Sequence, residues 1–239
     1  QHGFVVVAMD AAQHGAHPLA SPDSALPALD FLGLSIVNLE IDARSLRANI
    51  DQTAMERLML LRLLNLEPDL DGDGEPELDL SHIGYYGESL GGMLGSQLVA
   101  LSNQIDAAVF GIAGGRLLDF ATGTGQVEAF KPVLIDLFGS EARFDRLLPV
   151  AQTIVDAADP ATWAPHVFTN RIIPRETPPH ILFPVALKDD TVPPATGKAL
   201  ARALAVPHIG PIIEDVPSLE QQDAPVQANH LTGENTAGF

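Results

Sequence analysis

The stretch His82–Gly92 reads His-Ile-Gly-Tyr-Tyr-Gly-Glu-Ser-Leu-Gly-Gly. Its first half is a short apolar and aromatic run that is typical of a buried strand, and its second half continues into a helix through Leu94, Leu98 and Leu101. Between the two lies the motif G-x-S-x-G, centred on Ser89. In this strand-turn-helix context the motif predicts a nucleophile elbow, in which a strained turn exposes the Ser89 hydroxyl above the sheet.

The residues around Ser89 favour the same interpretation. Gly87 and Gly91 lie two residues to either side, where the sharp turn is expected to leave no room for a side chain. The N–H of Leu90, at the start of the helix, is expected to donate to an oxyanion formed at Ser89. A glycine-rich turn with no catalytic role is the alternative interpretation.

Length and composition limit the class of protein. The chain has 239 residues, 46% of them hydrophobic, which fits a single α/β domain over residues 1–239. Thirty-one acidic residues against thirteen basic ones give a net charge of −18, which repels nucleic acids and anionic membrane surfaces. No run approaches the ~20 apolar residues of a transmembrane segment. The chain has no cysteine, so disulfides and cysteine-based metal or redox sites are excluded.

Apolar runs that alternate with helical patterns predict a mostly parallel sheet flanked by helices. Besides the strand before Ser89, strands are expected at Phe4–Met9, Ile105–Ile112, Ile181–Leu187 and near Ile209–Val216. Helices are expected from Ala43 to about Asn65, after the N-cap residue Asp42, and at Ala195–Ala205.

In the segment 116–159 no strand pattern occurs, and the apolar residues have helical spacing. It contains four of the ten phenylalanines: Phe120, Phe130, Phe138 and Phe144. As an insertion between two strands, it is predicted to be a helical cap whose phenyl rings line an acyl or aryl pocket. A plain helical layer, with the same residues turned into the core, is the alternative.

An acidic stretch precedes the strand of the elbow, with Asp69, Asp71, Asp73 and Glu75 at alternate positions around two glycines. Such a loop presents oxygen ligands of the kind that Ca²⁺ prefers. Counted from Asp69, however, position twelve is Leu80, where an EF-hand has a bidentate glutamate. The sequence therefore leaves two interpretations open, a structural calcium site and a solvated acidic turn.

Candidates for an acid and a base follow the nucleophile along the chain. Asp189 comes just after the strand expected at Ile181–Leu187, where open α/β sheets carry functional residues, and the adjacent Asp190 is the alternative acid. His230 is the candidate base, in a polar loop expected to follow the last strand. His208 is the rival base.

Three groups of residues together resemble the α/β-hydrolase superfamily. They are the elbow Gly87–Gly92, the stretch Asp189–Pro193, and the opening run that ends in Asp10 and is followed by His14-Gly15. The resemblance implies a catalytic triad of Ser89, Asp189 and His230, in the family's order. The acidic loop is similar to that of bacterial extracellular lipase-like members, which implies a secreted or cell-envelope bacterial protein.

The family's sheet begins with three further strands, so this chain is expected to start at the fourth. The loop after the third strand supplies a second oxyanion donor in the family, and His2-Gly3 is not assigned this role because it precedes a strand. If the upstream strands are absent, Phe4–Met9 becomes an exposed edge that invites self-association. Val5 and Val7 are then expected to be exposed or covered by another chain.

The function predicted from these residues is hydrolysis of carboxylic esters, including lipid-like ones, by a serine esterase that requires no cofactor. A peptidase or thioesterase of the same fold is the first alternative, because the same triad transfers acyl groups to water. A truncated, non-catalytic fragment with a calcium-stabilised loop is the second.

Overall fold

The structure of the chain is a computed structural model that describes residues 3–21, 27–35, 40–66, 68–125, 131–175, 177–226 and 237–239. The strands within these residues are β1 (Leu34–Ser35), β2 (Glu40–Ile41), β3 (Ile83–Glu88), β4 (Ile105–Gly111), β5 (His180–Leu182), β6 (His208–Ile209), β7 (Gln221–Gln222) and β8 (Ala237–Gly238). The helices are α1 (Pro27–Phe31), α2 (Ala43–Leu66), α3 (Leu90–Leu101), α4 (Leu117–Gly123), α5 (Lys131–Phe138), α6 (Glu141–Val155), α7 (Pro160–Trp163) and α8 (Pro194–Leu204), with a 3₁₀ turn at Ala164–His166 after α7.

The main sheet has the strand order β3–β4–β5–β8, and each neighbouring pair in it is parallel. Parallel neighbours require a crossover, which α3 provides between β3 and β4 and the segment with α4 to α7 provides between β4 and β5. The predicted fold class, an α/β fold with a mostly parallel sheet flanked by helices, is confirmed. Two small sheets accompany it, β1 with β2 and β6 with β7.

The main apolar core holds the strand of the elbow in place. Phe110 of β4 and Phe183, just after β5, are buried in one cluster with Leu98 of α3 and Leu200 of α8. Full burial of a side chain of this size contributes about 1.5–3 kcal/mol. The side chains of β4 and of the residue after β5 thus share one core with α3 and α8.

The two predicted long helices are confirmed, α2 from Ala43 to Leu66 and α8 from Pro194 to Leu204. The predicted N-cap of α2 is also present. Asp42 Oδ1 accepts hydrogen bonds from the N–H groups of Arg44 at 3.0 Å and Ser45 at 3.2 Å.

The prediction of a buried strand at Phe4–Met9 is wrong, because this run forms no strand and lies on the surface. Phe4 is 86% exposed, Val5 53% and Val7 45%. A strand needs a partner for its backbone groups, and β3 pairs only with β4 among the described residues. The expected exposure of Val5 and Val7 is confirmed, and self-association through this run stays a prediction.

The last part of the sheet also differs from the sequence prediction. The strand expected near Ile209–Val216 is limited to β6, because Gly210 is followed by Pro211, which has no N–H to donate to a ladder. The place beside β5 is taken instead by β8, which comes after the segment 227–236 in the chain. The strand expected at Ile181–Leu187 likewise ends early, two residues before Pro184.

Helices occupy the described part of the segment 116–159, as predicted. Phe120 is buried in the main core, whereas the rings of Phe138 and Phe144 contact each other in a tilted arrangement, with centroids 5.7 Å apart. Phe130 lies outside the described residues. Whether the segment caps Ser89 stays a prediction. Within the described residues, none of the helices combines the length and the apolar character needed to cross a bilayer.

Candidate active site

Ser89 lies in the turn between β3 and α3 with a backbone conformation that residues with side chains rarely adopt. Its φ is 53° and its ψ is −118°. Such a conformation costs about 1–3 kcal/mol and persists only where surrounding contacts hold it. Here the Ser89 N–H donates to the carbonyl of Gly111 at 2.8 Å, and its carbonyl accepts from Met93 N–H at 3.0 Å. The strained turn that the motif predicts is thus present at Ser89.

The glycines around Ser89 allow the close approach of strand and helix, although not all at the expected positions. A Cβ on Gly87 would lie 2.4 Å from the carbonyl of Gly91, and one on Gly92 would lie 2.9 Å from Ala113 Cβ. A Cβ on Gly91 would meet nothing within 4 Å. The expected crowding at Gly91 is therefore wrong, because the helix turns that position outward and brings Gly92 against β4.

The start of α3 offers a free donor beside the serine. The first intrahelical hydrogen bond of α3 runs from Met93 N–H to Ser89 O, so the N–H of Leu90 has no partner within the helix. The N-terminal end of a helix also carries a partial positive charge. Leu90 therefore has the features expected of an oxyanion donor.

Tyr85 and Arg57 stabilise this turn through hydrogen bonds. The Tyr85 hydroxyl donates to the carbonyl of Gly91 at 2.5 Å, and Arg57 Nη1 of α2 donates to the Tyr85 hydroxyl at 3.2 Å. Burial raises the pKa of the Tyr85 phenol above its ordinary value of 10.0, and the charge of Arg57 opposes this rise. Tyr85 therefore keeps its proton, and its role as a donor, at physiological pH.

The two acid candidates differ in the hydrogen bonds that they make. Asp189 is half-buried, and its Oδ1 accepts from the N–H groups of Thr191 at 2.7 Å and Val192 at 2.9 Å. This leaves Oδ2 without a hydrogen bond among the described residues. The Asp190 side chain is exposed, and its backbone carbonyl accepts from Gly125 N–H at 2.7 Å. Asp189 is thus the carboxylate that is held in a fixed orientation.

The two histidine candidates cannot be compared directly, because His230 lies outside the described residues. In chain order His230 precedes β8, so it does not follow the last strand of the sheet as the sequence prediction had it. His208 lies on β6, 9% exposed, with its ring 4.9 Å from that of Phe239, the residue after β8. Three strand spacings separate β3 from β8, and at about 4.8 Å each they span roughly 14 Å. The N–H of Ile209 donates to Phe239 O at 3.0 Å, so His208 lies beside β8, at the opposite end of the strand order from β3.

The acidic loop brings together three of the four predicted metal ligands. Asp69, Asp71, Asp73 and Glu77 each offer an oxygen, and these four oxygens lie within 4.8 Å of one another. Glu75 is not among them, and its N–H donates to Asp73 Oδ1 at 2.9 Å.

The path of the loop explains why the cluster contains Glu77 and not the predicted Glu75. Gly72 and Gly74 have φ values of 80° and 95°, which turn the chain back on itself. Glu77 thereby returns to the start of the loop, where its N–H donates to Pro68 O at 3.1 Å. Hydrogen bonds from the N–H groups of Gly74 and Gly72 lower the pKa of Asp69 below its ordinary value. Calcium binding at this loop stays a prediction.

Comparisons with known proteins give no match in sequence and several in structure. No family model matches the chain, and no curated protein matches its sequence significantly. An acylaminoacyl peptidase from Pyrococcus horikoshii is similar over 72% of this chain and 22% of its own, with 16% identity and a TM-score of 0.43. The same enzyme in an uncomplexed form is similar over 75% of this chain and 23% of its own, with 17% identity and a TM-score of 0.41.

Acetyl xylan esterase 1 from Thermoanaerobacterium sp. JW/SL YS485 is similar over 80% of this chain and 53% of its own, with 17% identity and a TM-score of 0.47. Both proteins are members of the α/β-hydrolase superfamily. The chain spans about a fifth of the length of the peptidase and about half that of the esterase. With TM-scores of 0.41 to 0.47, these similarities assign no activity to this chain.

Proposed function

We propose that this chain is a serine hydrolase that cleaves carboxylic esters through an acyl-enzyme formed at Ser89. The observation that carries the proposal is the positive φ of Ser89 between a parallel strand and a helix. A strained serine at this junction is the arrangement that exposes a nucleophilic hydroxyl at the top of an α/β-hydrolase sheet. An ordinary glycine-rich turn would place its strain on glycine, whereas here the serine itself carries it.

The proposed reaction has two steps. His230 takes the proton from the Ser89 hydroxyl as its oxygen attacks the ester carbonyl, and returns that proton to the leaving alcohol. The N–H of Leu90 donates to the oxyanion of the tetrahedral intermediate, and loss of one such donor costs about 10²- to 10³-fold in rate. Water activated by the same histidine then hydrolyses the acyl-enzyme.

Asp189 is proposed as the acid that orients His230. Its Oδ1 is fixed and its Oδ2 has no partner among the described residues, which supports this choice over Asp190, because an orienting carboxylate needs one oxygen held and one free to accept from the imidazole. Asp189 also follows β5, whose carboxyl end lies at the same edge of the sheet as Ser89. The proposed substrates are small-molecule and lipid-like esters.

Hydrolysis assays of the purified chain test this proposal. Nitrophenyl esters should be hydrolysed, and Ser89→Ala should reduce kcat by on the order of 10⁴-fold or more. Ser218→Ala is the matched control, because Ser218 also has a positive φ, of 73°, but lies in an exposed turn away from any elbow. Hydrolysis of thioesters or peptide anilides in place of oxygen esters would assign another acyl transfer to the same serine. A folded chain that hydrolyses none of the three would contradict the proposal.

A further inference from the structure

A half-open cavity of about 530 Å³ lies between the start of α2 and helices α4, α5 and α6. Its volume falls within the range of about 300–1,000 Å³ that is usual for small-molecule sites. Among the described residues that line it, eleven are apolar and three are polar, namely Asp42, Arg44 and Thr122. Neither Ser89 nor Asp189 belongs to the lining. The cavity is therefore distinct from the candidate active site.

One wall of the cavity leaves apolar surface exposed. Leu147, Val150 and Ile154 of α6 line the cavity, and they are 44%, 59% and 37% exposed. Their spacing places them along one side of the helix. The rings of Phe138 and Phe144, which contact each other, complete this wall. Contiguous exposed apolar surface that borders a concave site favours an apolar ligand.

The polar residues of the lining differ in what they have left to offer a ligand. The Asp42 carboxylate is engaged by the N–H groups of Arg44 and Ser45 and by the Ser45 hydroxyl, and the Thr122 hydroxyl donates to Leu118 O at 2.7 Å. The Arg44 guanidinium makes no ion pair or hydrogen bond with the described residues. Its charge contributes to the lowered pKa of the nearby Asp42, but its N–H donors have no acceptor among the described residues, so Arg44 is the lining group that can donate to an anion.

We propose that this cavity binds an aliphatic carboxylate, with its alkyl chain against the apolar side of α6 and its carboxylate on the Arg44 guanidinium. A guanidinium pairs with a carboxylate through charge-assisted hydrogen bonds, which are the strong ones. The net charge of −18 repels anions at long range, but at physiological salt that repulsion is screened over about 8 Å. The short-range contact with Arg44 therefore determines which head group the ligand carries.

Calorimetric titration of the full chain with decanoate tests the site, and Ser89→Ala is titrated in parallel so that binding is measured without catalysis. Decanoate should bind once per chain to both forms. Arg44→Gln should weaken binding about 10- to 100-fold, the value of a hydrogen bond to a charged group. The matched control is Arg47→Gln, one turn further along α2 and outside the lining, which should leave the affinity unchanged. Decanol should bind the wild type more weakly than decanoate does.

Two further variants locate the alkyl chain. Ala151→Trp should fill the cavity and abolish binding. Ile154→Trp, at the partly exposed rim of the cavity, should also abolish binding, with a smaller loss of stability. Absence of saturable decanoate binding, binding that survives both tryptophan variants, or equal affinity for decanol and decanoate would each overturn the proposal. An unchanged affinity of Arg44→Gln would overturn it as well. None of these outcomes depends on whether Ser89 is a nucleophile.

Discussion

The hydroxyl of Tyr85 donates a 2.5 Å hydrogen bond to the carbonyl of Gly91, two residues beyond Ser89. This contact joins the middle of β3 to the first turn of α3, and it thereby spans the strained serine. Arg57 of α2 donates in turn to the Tyr85 hydroxyl and lies 5.8 Å from the centre of its ring. Three elements thus converge on the turn, which accounts for the persistence of a costly backbone conformation at Ser89.

The first prediction concerns this support. Tyr85→Phe should lower the free energy of unfolding by about 1–3 kcal/mol, because it leaves the Gly91 carbonyl and Arg57 without their partner. It should also lower kcat by roughly tenfold, at little change in KM, since a looser turn misplaces the nucleophile and the Leu90 N–H. Urea unfolding and ester kinetics measure the two effects. The control is Tyr86→Phe, since Tyr86 is 70% exposed. Equal effects of the two substitutions would contradict the role of Tyr85.

The second prediction separates the candidate acids and bases. His230→Ala should lower kcat by several orders of magnitude with little loss of stability, whereas His208→Ala should leave kcat nearly unchanged. Asp189→Asn should likewise reduce kcat far more than Asp190→Asn. The measurement is steady-state kinetics with thermal unfolding of each variant in parallel. If Asp190→Asn is inactive and Asp189→Asn is active, Asp190 is the acid. A folded but inactive His208→Ala would contradict the assignment of His230 as the base.

The third prediction is a pH dependence of stability at the start of α2. Hydrogen bonds from the Ser45 hydroxyl and N–H lower the pKa of Asp42 below its ordinary value of 3.8. The stability that the ionised cap contributes is therefore present above that value, and it is lost as the pH falls through the lowered pKa of the folded chain.

Substitution of Asp42 measures this contribution directly. At neutral pH, Asp42→Ala should cost about 0.5–2 kcal/mol, the usual value of an N-cap. The deficit relative to the wild type should shrink on acidification to about pH 2. Asp42→Asn, which can still cap the helix, should keep most of the stability at both pH values. A deficit of Asp42→Ala that grows at low pH would have the wrong sign for this account.

The fourth prediction concerns calcium at the acidic loop. Calcium should bind at Asp69, Asp71, Asp73 and Glu77, whose oxygens lie close together. Because the number of charged ligands tunes calcium affinity, Glu77→Gln should weaken binding more than the matched Glu75→Gln. Calorimetric titration of the chelator-treated chain measures both. A chain that binds no calcium would make the loop a solvated acidic turn, and a stronger effect of Glu75→Gln would restore the ligand set expected from the sequence.

Local sequence patterns predicted the elbow because its determinants are local. The residues that identify the turn at Ser89, namely Gly87, the strand before it and the helix after it, all lie within one short stretch. The same holds for α2, whose start follows from the capping side chain of Asp42. In each case, the sequence signal lies within a few residues, although distant contacts also hold the turn at Ser89.

Features that depend on distant contacts were missed or misplaced. Phe4–Met9 has the composition of a buried strand, but composition does not supply a partner for its backbone. The contact of Arg57 with Tyr85 joins residues 28 positions apart. From the sequence, Tyr85 is predicted only to be an aromatic residue of a strand. Glu77 replaces Glu75 in the acidic cluster because two glycines with positive φ reverse the chain, which alternate spacing alone does not reveal.

Labelling with a fluorophosphonate tests the central claim, the nucleophilic character of Ser89, most directly. The probe reacts with activated serines, so mass spectrometry of the digested adduct should place one label per chain on the peptide that contains Ser89. Ser89→Ala should abolish the label, and Ser218→Ala should retain it in full. A label that persists in Ser89→Ala, or a folded wild-type chain that takes up no label, would contradict the account.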